Sequence, residues 1–157
     1  MTKKTNDTLP FFPLFTDISR WNVLVVGAGE IALRRLQTLS QFTRQITVVA
    51  PVIHPDIACL AKTNNWTVKI KPYEESDLAE ARMVLAVTNQ RQVNHRIYRD
   101  CKRGGNFIYV NVADRQEECD FLFPGVVQKG QQILGVTSGG KDKTGTKNMI
   151  KKLKKVL

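Results

Sequence analysis

A glycine turn between an apolar run and a helix-like pattern constrains the fold more than any other feature of the sequence. The run 21–26 ends at Gly27, and the turn has the form Gly27-x-Gly29-x-x-Ala32. The first glycine permits a tight turn, the second lets the backbone approach a pyrophosphate, and the small third residue lets helix and strand pack closely. Backbone N–H groups at the start of the helix then face the phosphates. We interpret this as a dinucleotide-binding turn; the alternative is a tight turn without a ligand.

Strand-like and helix-like patterns alternate from residue 21 to residue 110. Continuous apolar runs are typical of strands that are buried on both faces of a parallel sheet. The alternation predicts right-handed βαβ units and a Rossmann-type, doubly wound parallel sheet of the α/β class. The predicted strands are 21–26, 45–49, 66–70, 83–87 and 107–110, and the predicted helices are 30–40, 55–62, a short one capped by Ser76 or Asp77, and 91–103 with Val93, Ile97 and Cys101 facing inward and Gly104-Gly105 at its end.

The pattern changes beyond residue 110. We predict two further strands, 121–123 and 133–136, with the turn Lys129-Gly130 between them. A final helix is predicted from the apolar stripe of Met149, Ile150, Leu153, Val156 and Leu157. Before the first strand, the proline-broken segment 9–15 should be extended and lie against the domain. We therefore divide the chain into a nucleotide-binding domain, 1–113, and a short β/α segment, 114–157.

The net charge of +10 predicts an anionic partner. Seven lysines lie between Lys141 and Lys155, a pattern that usually marks a solvated helix face. No aromatic residues are interleaved with them for stacking on bases, so we do not expect nucleic acid to be the partner. The chain has no apolar run near the roughly 20 residues that span a bilayer, and its polar start, 1–7, does not resemble a signal peptide. We expect a cytoplasmic protein with no membrane partner.

The cysteines and histidines do not predict a metal site. The three cysteines, Cys59, Cys101 and Cys119, are odd in number and form no Cys-x-x-Cys pair, which indicates free thiols. His95 lies off the apolar stripe of its helix and should be solvated. His54 follows the second strand, nearer the expected cleft, but one histidine does not make a site.

The residue that usually selects between the two nicotinamide dinucleotides is missing. An acidic residue is expected about 20 residues beyond the glycines, where it binds the ribose hydroxyls. Here the region 48–52 reads Val-Val-Ala-Pro-Val, with no acid and no arginine for a 2′-phosphate. The residues alone therefore leave the choice between NAD and NADP open.

Several segments occur in the order and at the spacings of one family. They are Phe12–Phe15, Val25–Arg34, Thr47–Pro51, Ala86–Asn89 with Val93-Asn94, Asn111–Asp114, Asp120–Pro124 and Ser138–Lys141. From about residue 10 to residue 141 the chain resembles precorrin-2 dehydrogenase, the NAD-dependent part of siroheme synthase. The resemblance implies oxidation of precorrin-2 to sirohydrochlorin with NAD⁺, and some members of the family also insert Fe²⁺. The substrate carries eight carboxylates, which suits a strongly basic protein.

The resemblance also implies roles for individual residues. Asp114 matches the family's catalytic aspartate, and Ser138 falls in its Ser-Gly-Gly turn, where it is expected to bind substrate. Asp114 follows the fifth predicted strand, at the sheet edge where doubly wound folds place their chemistry. On the residues alone a turn aspartate is the simpler interpretation. The expected cofactor positions are Gly27, Gly29, Glu30, Ile31, Pro51, Val52, Thr88 and Asn89.

The chain departs from the family after Ser138. Members usually continue with a small residue and proline, which open a helical domain, whereas this chain reads Lys-Asp-Lys-Thr-Gly-Thr over 141–146 and then one short helix. We therefore expect a dehydrogenase without ferrochelatase activity, with 114–157 serving dimerisation and the substrate cleft of a homodimer. The alternatives are a catalytically inactive, nucleotide-sensing or regulatory module and a basic protein that binds nucleic acid.

Overall fold

The computed structural model describes residues 10–105 and 107–156, which fall into two compact units. The larger unit is Asp17–Phe123, and the smaller one combines residues 10–16 with the chain from Pro124 onward. The polar start 1–7, Leu9 of the proline-broken segment and Leu157 of the last apolar stripe lie outside the described residues. The functional division predicted at 113/114 stays a prediction.

Five parallel strands form the sheet of the larger unit, in the order β3-β2-β1-β4-β5. The strands are β1 Val23–Val26, β2 Ile46–Val49, β3 Thr67–Lys69, β4 Met83–Ala86 and β5 Tyr109–Val112, and the helices are α1 Glu30–Leu39, α2 Pro55–Asn64 and α3 Arg91–Arg103. This confirms the predicted Rossmann-type α/β fold. The strand order reverses between β1 and β4, and the last residue of β1, Val26, pairs with the last residues of both β2 and β4. The carboxyl ends of the central strands therefore lie level, at the crevice where such folds bind ligands.

The apolar runs are continuous because the sheet is covered on both faces. In β1, Val23 and Val25 pack into the core layer under α1 and α2, whereas Leu24 and Val26 pack into the layer under α3. All four residues of β1 are buried. In α3, Ile97 and Cys101 are buried as predicted, but Val93 is only half-buried. The helix ends at Gly104, which is extended rather than left-handed.

Three predicted features of this unit are wrong. β5 begins at Tyr109, two residues later than predicted, and continues through Val112, because the ladder starts where Tyr109 pairs with Met83 and ends where Val112 pairs with Ala86. The short helix 75–78 is a 3₁₀ helix with Glu74 as its N-cap residue. Asp77 lies inside the helix, and its carboxylate accepts a hydrogen bond from the Glu74 N–H.

The third correction concerns 121–123, which is not a strand. The preceding residues cover the free edge of β5 with one backbone hydrogen bond, from the Asp120 N–H to the Val110 carbonyl at 2.8 Å, and otherwise through bonds that involve side chains, so no backbone ladder forms. The Asp120 carboxylate accepts the Val110 N–H at 2.8 Å, and the Cys119 thiol contacts both the N–H and the carbonyl of Val112. The Phe121 carbonyl accepts the Asn111 amide at 2.7 Å. Hydrogen bonding at this edge is thus completed before the chain reaches Pro124.

The smaller unit contains an antiparallel strand pair and one helix. β6 Gly125–Lys129 pairs with β7 Gln132–Val136, and α4 spans Lys143–Val156. The predicted turn is present, with Gly130 at a positive φ of 58°. Ile150 of α4 packs so closely on Gly125 that a side chain there would overlap it. The predicted apolar stripe is only partly covered, since Met149 and Val156 are exposed. No helix of the described ranges is long and apolar enough to cross a membrane.

Candidate cofactor site and active site

A cleft of about 1010 Å³ opens at the carboxyl ends of β1, β2 and β4. It brings together every position that the sequence analysis assigned to the cofactor. These are Gly27, Gly29, Glu30, Ile31, Pro51, Val52, Thr88 and Asn89. Their roles in binding remain predictions, but their proximity is a feature of the fold.

Gly27 is required by the fold itself. Its φ is +106°, and a Cβ placed on it would lie 2.7 Å from the Val87 carbonyl oxygen. Its N–H donates to the Val49 carbonyl at 2.9 Å. The turn therefore fits tightly between the ends of β2 and β4, and any side chain at this position would disrupt it.

Gly29 is different because the space beside it is open. It is the N-cap residue of α1 with φ −95°, and no heavy atom of residues 10–105 and 107–156 lies within 4 Å of the position of an added Cβ. Among the described residues no side chain caps the helix, and its first residues, Gly29, Glu30 and Ile31, line the cleft, so the N–H groups of this first turn have no partner within the helix. These groups and the positive end of the helix dipole form an anion-binding surface. The open space beside Gly29 is therefore suited to a pyrophosphate.

His54 connects the first two βα turns, a role that sequence reasoning missed. Its Nδ1 accepts the Asp56 N–H at 3.2 Å and caps α2, while its own N–H donates to the Ala28 carbonyl at 3.1 Å. Its Nε2 lies 3.2 Å from a Glu30 carboxylate oxygen. Because Nδ1 is an acceptor, the neutral ring carries its hydrogen on Nε2, which donates a hydrogen bond to the Glu30 carboxylate. A histidine one residue before Pro55 at the start of a helix was the available signal.

Tyr73 forms a wall of the cleft that no sequence motif indicated. Its side chain is buried, and its hydroxyl donates to the Asp100 carboxylate at 3.2 Å. Burial, reinforced by the negative charge of Asp100, raises the pKa of Tyr73 far above its ordinary value. The residue therefore contributes an apolar ring to the cleft while its hydroxyl is bound on the α3 side.

The turn between β4 and α3 is held by side-chain hydrogen bonds. The Asn94 amide oxygen accepts the Thr88 N–H at 3.1 Å and the Thr88 hydroxyl at 2.7 Å. The Asn94 amide nitrogen donates to the Thr88 carbonyl at 3.1 Å. Asn94 is completely buried. This side chain therefore fixes the wall of the cleft that contains Thr88.

Asp114 lies two residues past β5 at the same edge of the sheet. One oxygen, Oδ1, accepts the Asn94 amide at 3.1 Å and an Arg91 N–H at 3.4 Å. The side chain is 38% exposed, so solvent or a ligand can reach it. A reachable carboxylate that is held by two donors can serve as a proton acceptor.

Two further groups support Arg91. Arg91 also pairs with Glu118, whose Oε1 lies 3.0 Å from His95 Nδ1. Burial raises the pKa of Glu118, but the hydrogen bonds and charges of Arg91 and His95 outweigh it, so the pKa is lowered overall. The pKa of Arg91 is raised, first by its hydrogen bond to Glu118. His95, predicted to be merely solvated, is about half exposed and belongs to this cluster.

Ser138 belongs to the smaller unit. Its hydroxyl donates to the Asp142 carbonyl at 2.9 Å and accepts the Asp142 N–H at 3.0 Å, and Gly139 and Gly140 follow with positive φ. The expected Ser-Gly-Gly turn is thus present. A role in substrate binding remains a prediction. Among residues 10–105 and 107–156, no three acidic, histidine or cysteine side chains form a group that could hold a metal ion.

The fold and the cleft define a dinucleotide-binding protein. A family model described as putative NAD(P)-binding matches residues 14–125, and the chain belongs to this family. The resemblance to precorrin-2 dehydrogenase and siroheme synthase is confirmed by relatives and by a solved structure. The structure of SirC, precorrin-2 dehydrogenase, superimposes with a TM-score of 0.81 at 26% identity, covering 94% of this chain and 71% of that one.

Two curated relatives show the same relationship. The chain is 37% identical over 153 residues to the probable multifunctional siroheme biosynthesis protein HemA of Ruminiclostridium josui, covering 96% of this chain and 29% of the relative. It is 35% identical over 130 residues to the siroheme synthase of Psychrobacter arcticus, covering 83% of this chain and 23% of the relative. The chain therefore spans less than a third of the length of these relatives.

Proposed function

We propose that this protein catalyses the NAD-dependent dehydrogenation of precorrin-2 to sirohydrochlorin in siroheme biosynthesis, in the cytoplasm. One observation carries the proposal. The cleft, which is formed by the eight expected cofactor positions, lies at the same edge of the sheet as Asp114. Hydrogen bonds of Asn94 connect the Asp114 carboxylate to Thr88 in the wall of the cleft. The names of the relatives supply the substrate, and the net charge of +10 suits its many carboxylates.

The residues of the cleft fit a dinucleotide. The space that a Cβ on Gly29 would fill is not used by any atom of the described residues, and it lies at the start of α1, which has no side-chain cap. No lysine or arginine lines the cleft among the described residues; Glu30 and His54 are the ionisable side chains near the α1 turn. A 2′-phosphate would therefore find no cationic partner there, which supports NAD rather than NADP.

In the proposed reaction the substrate loses two hydrogens and gains one double bond. When bound, NAD⁺ supplies the acceptor for the hydrogen that leaves with its electron pair. The chain's own part concerns the other hydrogen, which leaves the macrocycle as a proton. Asp114 accepts this proton, or it accepts a hydrogen bond from a substrate N–H and thereby positions the ring. Gly27, Gly29 and Thr88 hold the backbone walls around the cofactor.

We further propose that 114–157 serves dimerisation and substrate binding, with Ser138 as a substrate contact. A two-stranded pair with one helix offers little core of its own. Within this segment, Val156 is 83% exposed and Met149 is 50% exposed. These apolar surfaces support a homodimer, which sedimentation equilibrium would test: a mass that stays monomeric at all concentrations would contradict it.

The test of function is turnover of precorrin-2 with NAD⁺, measured by the formation of NADH and the spectrum of sirohydrochlorin. A parallel reaction with NADP⁺ tests the cofactor, and Fe²⁺ added afterwards measures whether the product is also chelated. Binding of NAD⁺ without turnover would favour a regulatory module over an enzyme. Failure to bind NAD⁺ would overturn the assignment of the cleft.

A further inference from the structure

The side chain of Asn94 has a complete set of hydrogen bonds, and they are unevenly distributed. An amide side chain can accept two hydrogen bonds and donate two. Asn94 makes all four: three to Thr88 and one, at 3.1 Å, to Asp114. The three bonds to Thr88 close a local turn, whereas the fourth reaches twenty residues along the chain to a loop after another strand.

The bond to Asp114 is not needed for the local turn. Arg91 and Asn94 are three residues apart on α3, and both donate to the same carboxylate oxygen of Asp114. Arg91 is 41% exposed and is shared with Glu118, whereas Asn94 is fully buried. Among the described residues, Asn94 is therefore the rigid donor that sets the orientation of Asp114.

This arrangement also distinguishes the two carboxylate oxygens. Both donors bind Oδ1, and neither of them occupies Oδ2. Since the side chain is 38% exposed, Oδ2 is the oxygen that a ligand can reach. A carboxylate held by one oxygen presents the other in a fixed direction.

We propose that Asn94 is a positioning residue that holds Asp114 and Thr88 in one rigid frame, so that Oδ2 of Asp114 faces a substrate aligned with the cofactor. The inference rests on the proposed function. Misplacing a reacting group by about 1 Å can lower a rate by about 10²-fold. A loss of that size is expected when the frame is broken, with kcat falling more than the KM for NAD⁺ rises.

A double-mutant cycle tests the inference. Asn94→Ala should lower kcat by about 10²-fold, and Asp114→Asn should lower it further. At saturating NAD⁺ the double variant should be no slower than Asp114→Asn alone, because the effect of Asn94 on kcat passes through Asp114, whereas its effect through Thr88 should appear in the KM for NAD⁺. If the effects of the two substitutions on kcat multiply in the double variant, Asn94 acts independently of Asp114 and the inference is overturned. Arg99→Gln, an exposed position on the same helix, is the control and should behave as wild type.

Asn94→Asp keeps the test valid if the alanine variant unfolds, which circular dichroism would reveal. This variant retains the acceptor for Thr88 but places a second carboxylate 3.1 Å from Asp114. Two carboxylates at this distance share a proton, so the acid limb of the pH–rate profile should move to higher pH. A lower profile of unchanged shape would indicate a merely structural role. Wild type without turnover would overturn the proposed function, whereas an active wild type with a multiplicative cycle would overturn this inference alone.

Discussion

The two βα turns that border the cleft are built in opposite ways. The turn after β1 uses backbone: Gly27 fits because it has no side chain, and Gly29 leaves space for a ligand. The turn after β4 uses side chains, with Asn94 bonded to Thr88 and Asp114. A turn that has no room for side chains can be recognised in the sequence from glycines at fixed spacing. A turn that requires hydrogen bonds among residues 88, 94 and 114 leaves no such pattern.

The difference also separates binding from chemistry. Backbone N–H groups suit the binding of phosphate, whose charge and shape do not change during the reaction. Proton transfer needs an ionisable side chain, and its orientation needs other side chains. Of the following substitutions, Asp114→Asn should damage the chemistry and Gly29→Val the binding, whereas those at Gly27 and Glu118 should change the stability of the turns themselves.

The largest effect is expected at the side-chain turn. Asp114→Asn should lower turnover by about 10²–10⁴-fold, because general base catalysis contributes that much. Folding should be preserved, since the amide oxygen of the new side chain can still accept from Asn94 and Arg91. The measurement is turnover at saturating NAD⁺, alongside the melting temperature. Unchanged turnover would remove Asp114 from the mechanism, and a loss of several kcal/mol in stability would make it a structural turn residue.

The next effect is at the glycine that the fold requires. Gly27→Ala forces a side chain into a positive φ and against the Val87 carbonyl. The free energy of unfolding should fall by about 3 kcal/mol, since backbone strain and overpacking cost about 1–3 kcal/mol each. Denaturant unfolding measures this loss. A variant as stable as wild type would show that the turn relaxes easily.

Gly29→Val should show the reverse behaviour. The Cβ of the added side chain has no heavy atom of the described residues within 4 Å, so stability should change by less than about 1 kcal/mol, the typical size of a helix-cap effect. The branched side chain should block approach of the pyrophosphate. Losing one hydrogen bond to a charged phosphate, about 1.5–3 kcal/mol, weakens the Kd for NAD⁺ by about 10- to 100-fold. Calorimetry with unchanged affinity in a folded variant would contradict the placement of the cofactor.

The smallest effect concerns pH. Because the pKa of Glu118 is lowered in the folded state, its contribution to stability is present above its ordinary value of 4.5 and is lost as the pH falls through the lower folded value. Glu118→Gln should therefore be less stable than wild type at neutral pH, by less than about 1 kcal/mol. The difference should narrow on acidification. If the stabilities of wild type and variant plotted against pH stay parallel from neutral pH to well below pH 4.5, Glu118 does not contribute to stability through a lowered pKa.

The parts of the fold that follow from periodicity were predictable. The helix 91–103 and the glycine turn were placed correctly because apolar spacing and glycine chemistry are local properties. β5 was displaced because only its pairing with β4 decides where it begins. The segment 121–123 is as apolar as a strand, but the side chains of Cys119 and Asp120 already occupy the edge that it would join.

The site was predictable where it is made of backbone and less so where it is made of contacts. Asn94 lies beside the predicted stripe of Val93, Ile97 and Cys101, yet it is more buried than Val93. Its four hydrogen bonds satisfy the amide and allow this burial. A single histidine predicts no metal site, but the position of His54 before Pro55 fits a helix cap, which is the role it has in the structure. Such roles depend on partners that are distant in the sequence.

The empty space beside Gly29 has a consequence for how this kind of protein changes over evolutionary time. Selection for a folded chain acts on Gly27, because its replacement disturbs backbone that is present in every molecule. At Gly29, by contrast, an added Cβ would contact no heavy atom of the part of the chain that the structure describes. A descendant that stopped using the dinucleotide would therefore keep the first glycine and lose the second. In related sequences, retention of both glycines would therefore indicate selection for ligand binding, and retention of the first glycine alone would indicate selection for the fold only.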